Sequence, residues 1–139
     1  MVNIRYGTFE TNSSSVHSLM IATDEEYKKL VAGELYIDSA HDIFLTKTEV
    51  INILLDEVAV DQLSDFWHNY LEKDTELIPT VEWFNTISID DFDEFLREFS
   101  DGISSFDNYG GEYYEQYDTD YTTEHGDKIH IFGYYGNDY

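Results

Sequence analysis

The chain contains no cysteine. Disulfides, thiolate zinc sites and cysteine nucleophiles are therefore excluded. A single proline and eight glycines among 139 residues exclude a collagenous or Pro/Gly-rich low-complexity chain. Basic residues are also scarce. Seven Lys and Arg stand against 30 Asp and Glu, a formal net charge of −23. Gripping a phosphate backbone takes Lys and Arg that displace counterions, so nucleic acid is not an expected direct partner. No apolar run approaches the roughly 20 residues of a membrane-spanning helix. The first residues lack the basic and apolar regions of a secretory signal. No membrane partner is expected, and the expected compartment is the cytoplasm.

Aromatics, by contrast, are abundant. With 42% hydrophobic and 17% aromatic residues, the chain can bury a core that a disordered acidic tail could not. Its length suits one domain, 1–139, of ordinary size. The charge is uneven. Residues 1–69 carry −8 and residues 70–139 carry −15. Self-repulsion of this order destabilises a compact state, which implies a return in solubility or in a charged partner.

The pattern predicts an α+β fold, with short N-terminal strands, central helices and a C-terminal β-hairpin. Strands are expected over Val2 to Phe9, Val16 to Ala22, Glu34 to Ile37 and Asp42 to Leu45. Thr23 with Glu26, and Thr46 with Glu49, have capping-box spacing. They predict helices over Asp24 to Ala32, stopping at Gly33, and over Glu49 to Glu57. Val60, Leu63, Phe66, Trp67, Tyr70 and Leu71 continue at helical spacing after a kink or short link. A short helix is expected over Thr80 to Asn85. Ser88 can cap another over Ile89 to Phe99, whose Phe92, Phe95, Leu96 and Phe99 face one way. In the last third Tyr113, Tyr117 and Tyr121 share one parity, and Gln116, Asp118 and Asp120 the other. This is strand alternation. His125-Gly126-Asp127 turns the chain into a returning strand that frays after Gly136.

The candidate chemistry falls in three places. From Thr8 to Ser18, six hydroxyl residues and Asn12 crowd together, with Arg5 and His17 nearby. Hydroxyls and backbone N–H groups of this kind can cradle an anion. The candidates are Arg5, Ser13, Ser14, Ser15 and His17, with His17 a potential general base. A tight loop whose Ser and Asn side chains bond their own backbone explains the same run. The second place is the acidic clusters Asp90-Asp91-Phe92-Asp93-Glu94 and Asp118-Thr119-Asp120, which have oxygen ligands but no EF-hand pattern. His125, Asp127 and His130 flank a turn where a metal is conceivable, although an exposed turn is the simpler reading. No metal or cofactor is expected. The third is the Tyr-and-carboxylate strip from Tyr109 to Tyr121. Tyr supplies interface area and a polar tip, and carboxylates steer a basic partner.

The opening Arg5-x-Gly7-x-Phe9-Glu10-Thr11-Asn12-Ser13-Ser14-Ser15-x-His17-Ser18 resembles the start of a set of small proteins from bacteriophages and their bacterial hosts. The resemblance covers about the first 20 residues. It implies a phage or prophage origin, and hence the host cytoplasm, without implying a mechanism.

Two function classes follow. In the first, the chain is a non-enzymatic inhibitor that occupies the basic, nucleic-acid-binding surface of a host protein, its carboxylates standing in for phosphates. The host protein would be a defence nuclease or a restriction or CRISPR component. The expected contact residues are Asp90, Asp93, Glu94, Glu98, Asp107, Glu112, Tyr113, Glu115, Tyr117, Asp118, Asp120 and Tyr121. In the second, it is a small nucleotide- or phosphate-binding module or enzyme built on the Thr-Asn-Ser-Ser-Ser loop. A duller option is an acidic accessory protein whose charge serves only solubility.

Overall fold

The structure is a computed structural model that describes residues 15–74, 78–109 and 115–137, with side chains for 19–74, 78–109 and 117–134. The strand expected over Val2 to Phe9 lies outside the described residues. The α+β expectation holds, with strands toward both ends and helices between them.

The first strand, β1 (Ser15–Thr23), runs directly into α1 (Asp24–Val31). Thr23 is the hinge between them. Its hydroxyl accepts the Glu26 N–H at 3.1 Å and its own N–H donates to Glu26 Oε1 at 2.9 Å. This is the reciprocal capping box that the spacing predicts. At the other end Gly33 takes φ +81°. The Gly33 and Glu34 N–H groups then close onto Leu30 and Lys29 carbonyls, a turn glycine enters without a Cβ penalty. The hairpin β2 (Leu35–Asp38) and β3 (Ile43–Thr46) follows. Thr46 repeats the capping box with Glu49 to start α2 (Lys47–Glu57).

After a break at Val58 the chain forms α3 (Val60–Asp65) and a wide turn over Phe66–Tyr70. Here the Leu71 N–H reaches back five residues to the Phe66 carbonyl at 3.1 Å. The expected single stripe is therefore broken. Leu63, Phe66 and Trp67 are buried and Leu71 packs against their core, while Val60 and Tyr70 are exposed, Tyr70 with its ring stacked on Phe66 at 5.4 Å. Thr80 and Ser88 then cap α4 (Val81–Thr86) and α5 (Ile89–Phe99). The chain ends in β4 (Ile103–Ser104), β5 (Glu115–Thr122) and β6 (Lys128–Asn137).

Among the described residues two three-stranded antiparallel sheets result, ordered β1-β6-β5 and β3-β2-β4. In the first, β6 is central, and the N-terminal strand pairs with it in the register Met20↔Phe132 and Ala22↔His130. That pairing and the two-residue β4 were not legible in the sequence. β2 is central in the second sheet and is covered on both faces. Tyr36 joins the helical core of Val50, Ile51, Leu54, Leu63, Phe84 and Phe95. Its neighbour Ile37 faces the other way, into a core with Met20, Leu30 and Phe132. Among the described residues no helix is long and apolar enough to cross a membrane.

Phe132 is 2% exposed and rings with Phe44, Phe106 and Tyr109 surround it. Phe132→Ala is expected to cost about 3–5 kcal/mol in urea unfolding. Leu19→Ala lies on the opposite face of the same sheet and should cost about 1 kcal/mol or less. The reverse ranking would show that the sheet buries its other face.

Candidate functional site

Helix α5 is amphipathic. Phe92, Phe95 and Leu96 are buried, so the carboxylates are pushed to the opposite side. Asp90 and Glu98 are exposed. Asp91 lies 3.5 Å from Lys73, and Glu94 pairs with Arg97. Asp93 is different. Its Oδ2 accepts from Asn108 Nδ2 at 3.1 Å, and its Oδ1 is buried with no hydrogen-bond partner among the described residues. Burial pushes its pKa up. Arg97 and Asn108 oppose that shift, and the nearby charges of Asp90 and Asp107 add to it. Asp90, Asp93 and Asp107 are thus neighbours across the α5 surface, with Asp93 the half-buried member.

The turn carrying Asp107 and Asn108 links α5 to the first sheet. Asn108 holds Asp93, and Phe106 packs edge-on against Tyr27 of α1 at 5.5 Å. The Tyr27 hydroxyl donates to Asp118 on β5. A chain of contacts therefore runs from Asp93 through Asn108, Phe106 and Tyr27 to Asp118.

On β5 the expected strip divides between two faces. Asp118 lies opposite Phe132 and Asp120 opposite His130, on the face that α1 covers. Each is engaged by its own chain: Asp118 by Tyr27, and Asp120 by Lys128 at 3.5 Å. Tyr117 and Tyr121 lie opposite Gly133 and Ile129 on the other face, 43% and 58% exposed. Ile129, Ile131, Leu19 and Ile21, none of them fully buried, share that face. Period-two alternation makes this division unavoidable, so the tyrosines and aspartates form two adjoining surfaces along one sheet edge. Glu115 opens β5, and its side chain is outside the description. Glu112 and Tyr113 lie outside the described residues.

Beneath the aspartate face, Asp24 at the start of α1 approaches His130 Nε2 at 2.9 Å and Lys28 Nζ at 3.0 Å. His130 first, then Lys28, holds Asp24 below its ordinary value. His130 is 7% exposed and stacks on Tyr27 at 3.9 Å. It therefore belongs to the core face, away from the exposed His125 turn. Among the described residues no group of three or more His, Asp or Glu is arranged to hold a metal ion.

The cations are already in use. Of the seven Lys and Arg, Arg5 lies outside the described residues. Lys28, Lys29, Lys73, Arg97 and Lys128 each face a carboxylate of this chain, and Lys47 lies over the Phe92 ring at 4.9 Å. Of the alternative anion site, Ser13 and Ser14 also lie outside the described residues. Ser15 and His17 are strand residues of β1, paired with Asn137 and Tyr135, and their side chains are outside the description. No protein-family model, no curated protein and no solved structure matches this chain.

Tyr27, Phe106 and Asn108 join the acidic segments and were not expected to. Their partners lie 91 and 15 residues away for Tyr27 and Asn108, and no local pattern encodes that. Burial, with the Asp118 hydrogen bond and the Asp118 and Asp120 charges, pushes Tyr27 up to about 12. Burial, helped by Asp93, does the same for Tyr36, also to about 12. An unfolded tyrosine ionises near about 10. The unfolded state therefore loses these protons first. This stabilisation is fully present below pH ~10 and is lost as pH rises through ~12. Urea unfolding between pH 8 and about 11.5 should give a falling stability whose slope is shallower in Tyr27→Phe. Near neutral pH, Tyr27→Phe should lose about 0.5–1.5 kcal/mol. An unchanged slope would remove Tyr27 from the alkaline transition.

Proposed function

We propose that this protein is a phage-type inhibitory binding protein. It occupies the basic, nucleic-acid-binding surface of a host protein such as a defence nuclease or a restriction or CRISPR component. Its carboxylates take the place of phosphates. The observation that carries this reading is the distribution of charge. The Lys and Arg of the described residues each lie beside a carboxylate or a ring of this chain, while Asp90, Glu98 and Asp107 are exposed. The exposed carboxylates of α5 and the 106–109 turn are linked through packed side chains to the tyrosine-bearing edge of β5. A surface of this type attracts a basic partner at long range. Exposed Tyr117 and Tyr121 supply contact area once it arrives. A nucleic acid would meet an excess of carboxylates, with five of the described Lys and Arg already beside a carboxylate of this chain.

The test is capture from bacterial lysate at about 50 mM salt, where surface charge is weakly screened, followed by salt elution. One dominant nucleic-acid-binding protein, displaced by added DNA or RNA, is the expected result. An eluate with no enriched basic protein overturns the reading. Asp118 and Asp120 are poor first targets for mutation, because they are tied to Tyr27 and Lys128. Glu98→Lys with Asp107→Lys changes exposed groups only. It should slow association about tenfold or more and make its rate less dependent on salt, with the unfolding midpoint little changed. Tyr117→Ala should act mainly on dissociation. Unaltered association of the double-reversal variant would take α5 and the turn out of the interface.

A further inference from the structure

The loop between β2 and β3 and the ends of α2 and α5 enclose a cavity of about 250 Å³. Its apolar wall includes Ile53, Val58, Phe99 and Ile103, all only partly buried against the helical core. Three carboxylates line it: Asp38, Glu57 and Asp101. Asp38 is 4% exposed. It is oriented by His41, whose backbone N–H lies 3.2 Å from Oδ1 and whose ring Nδ1 lies 2.8 Å from Oδ2. The wall is pre-formed. Ser39 donates to the Gly102 carbonyl from both its N–H, at 2.9 Å, and its hydroxyl, at 3.1 Å. A Cβ on Gly102 would sit 3.1 Å from Ser39 Oγ and 3.2 Å from the Ala40 nitrogen.

The charge placement runs against the local field. Glu57 is the last residue of α2, and Asp101 follows Ser100, the C-terminal cap of α5. Both helices direct their negative ends toward the cavity, where cations are favoured and carboxylates are not. Among the described residues neither Glu57 nor Asp101 is ion-paired. Asp38 is taken by His41, and the arrangement of two helix C-termini, the unpaired carboxylates of Glu57 and Asp101 and an apolar wall is complementary to a cation on an apolar stem. The volume is below the roughly 300–1,000 Å³ of sites that enclose a drug-sized ligand, so one side chain fits the scale better than a nucleotide.

We infer that this cavity receives an arginine side chain of a basic partner, its stem and guanidinium against Val58 and Phe99 and its charge toward Glu57 and Asp101. Arginine suits the site better than lysine. Its planar, weakly hydrated guanidinium stacks on an aromatic face and bridges carboxylates, whereas the ammonium of lysine is a compact, strongly hydrated charge. The inference rests on the basic-partner reading and adds to it a short-range recognition element distant in sequence from β5.

The test uses Nα-acetyl-arginine amide, the neutral citrulline analogue and Nα-acetyl-lysine amide as probes of the full chain. Methyl resonances of Ile53, Val58 and Ile103 report on the cavity. The expected result is a saturable shift with the arginine probe and none with citrulline. Glu57→Gln with Asp101→Asn should weaken that binding roughly tenfold. Both substitutions remove charges that the helix ends disfavour, so the fold should be retained. No saturable shift, or an equal response to citrulline, overturns the inference. An equal response to the lysine probe overturns the arginine assignment. If the probe fails while a basic protein still binds in a salt-dependent way that Glu98→Lys with Asp107→Lys weakens, the cavity inference falls alone. If the probe binds but no basic protein does, the partner reading falls and takes the assignment to a partner's arginine with it.

Discussion

Four residues, Leu35 to Asp38, hold the molecule together because β2 is covered on both faces. Successive side chains of a strand point to opposite sides. Tyr36 is therefore committed to the helical core and Ile37 to the core under α1 and the first sheet. The two cores share this partition, and each closes one side of it. Tyr36 meets Phe92 of α5 at 5.5 Å. On the other side Leu35 and Phe44 pack with Phe132 of β6. A one-residue slip of β2 would exchange the two faces and place Ile37 among the aromatic rings of the helical core. The pairing Ile37↔Phe44 and Ile37↔Ser104 on its two edges fixes that register.

How much of this can be read from the sequence depends on the range of the interaction. The caps at Thr23, Thr46 and Ser88 are written within three residues, and all three form. The α5 stripe of Phe92, Phe95 and Leu96 is written at helical spacing and is buried. The β1–β6 pairing joins residues more than a hundred positions apart, and either strand could have paired elsewhere without violating a local rule. The wide turn at Phe66–Tyr70 is decided by packing. Phe66 packs edge-on against Phe95 and Phe99 while Trp67 meets Trp83 edge-on, and the exposed Tyr70 stacks on the Phe66 ring. The acidic band was legible as residue types and not as a surface. Alternation on β5 could be counted, yet the covering of Asp118 by Tyr27 depends on α1 lying over that face.

The charge is organised rather than merely excessive. Carboxylates that help the fold sit where backbone N–H groups or cations meet them. Asp24 and Glu49 occupy the first turns of α1 and α2 and are held below their ordinary values, by His130 and by Thr46 respectively. Their stabilisation is present above the normal carboxylate range and is lost as pH falls through the lowered values. Asp93 lies at the other extreme. It is half-buried with a lone oxygen and shifted upward, so its ionised form works against the fold near neutral pH.

Solubility alone asks only for net charge and is indifferent to where the charges sit. Glu57 and Asp101 occupy helix C-termini, where they oppose the dipole, beside partly exposed apolar side chains. Both are exposed, and either would serve solubility equally well a turn away from the helix end. Their convergence on one pre-formed cavity, together with Asp38, is the arrangement least explained by an accessory protein that is acidic for its own sake. A cation supplied from outside resolves the conflict, because it offsets the helix ends and the carboxylates at once. On the proposed reading, long-range attraction by the band on α5 and close-range capture in the cavity call for the same chemistry in one partner: a basic surface that presents arginine.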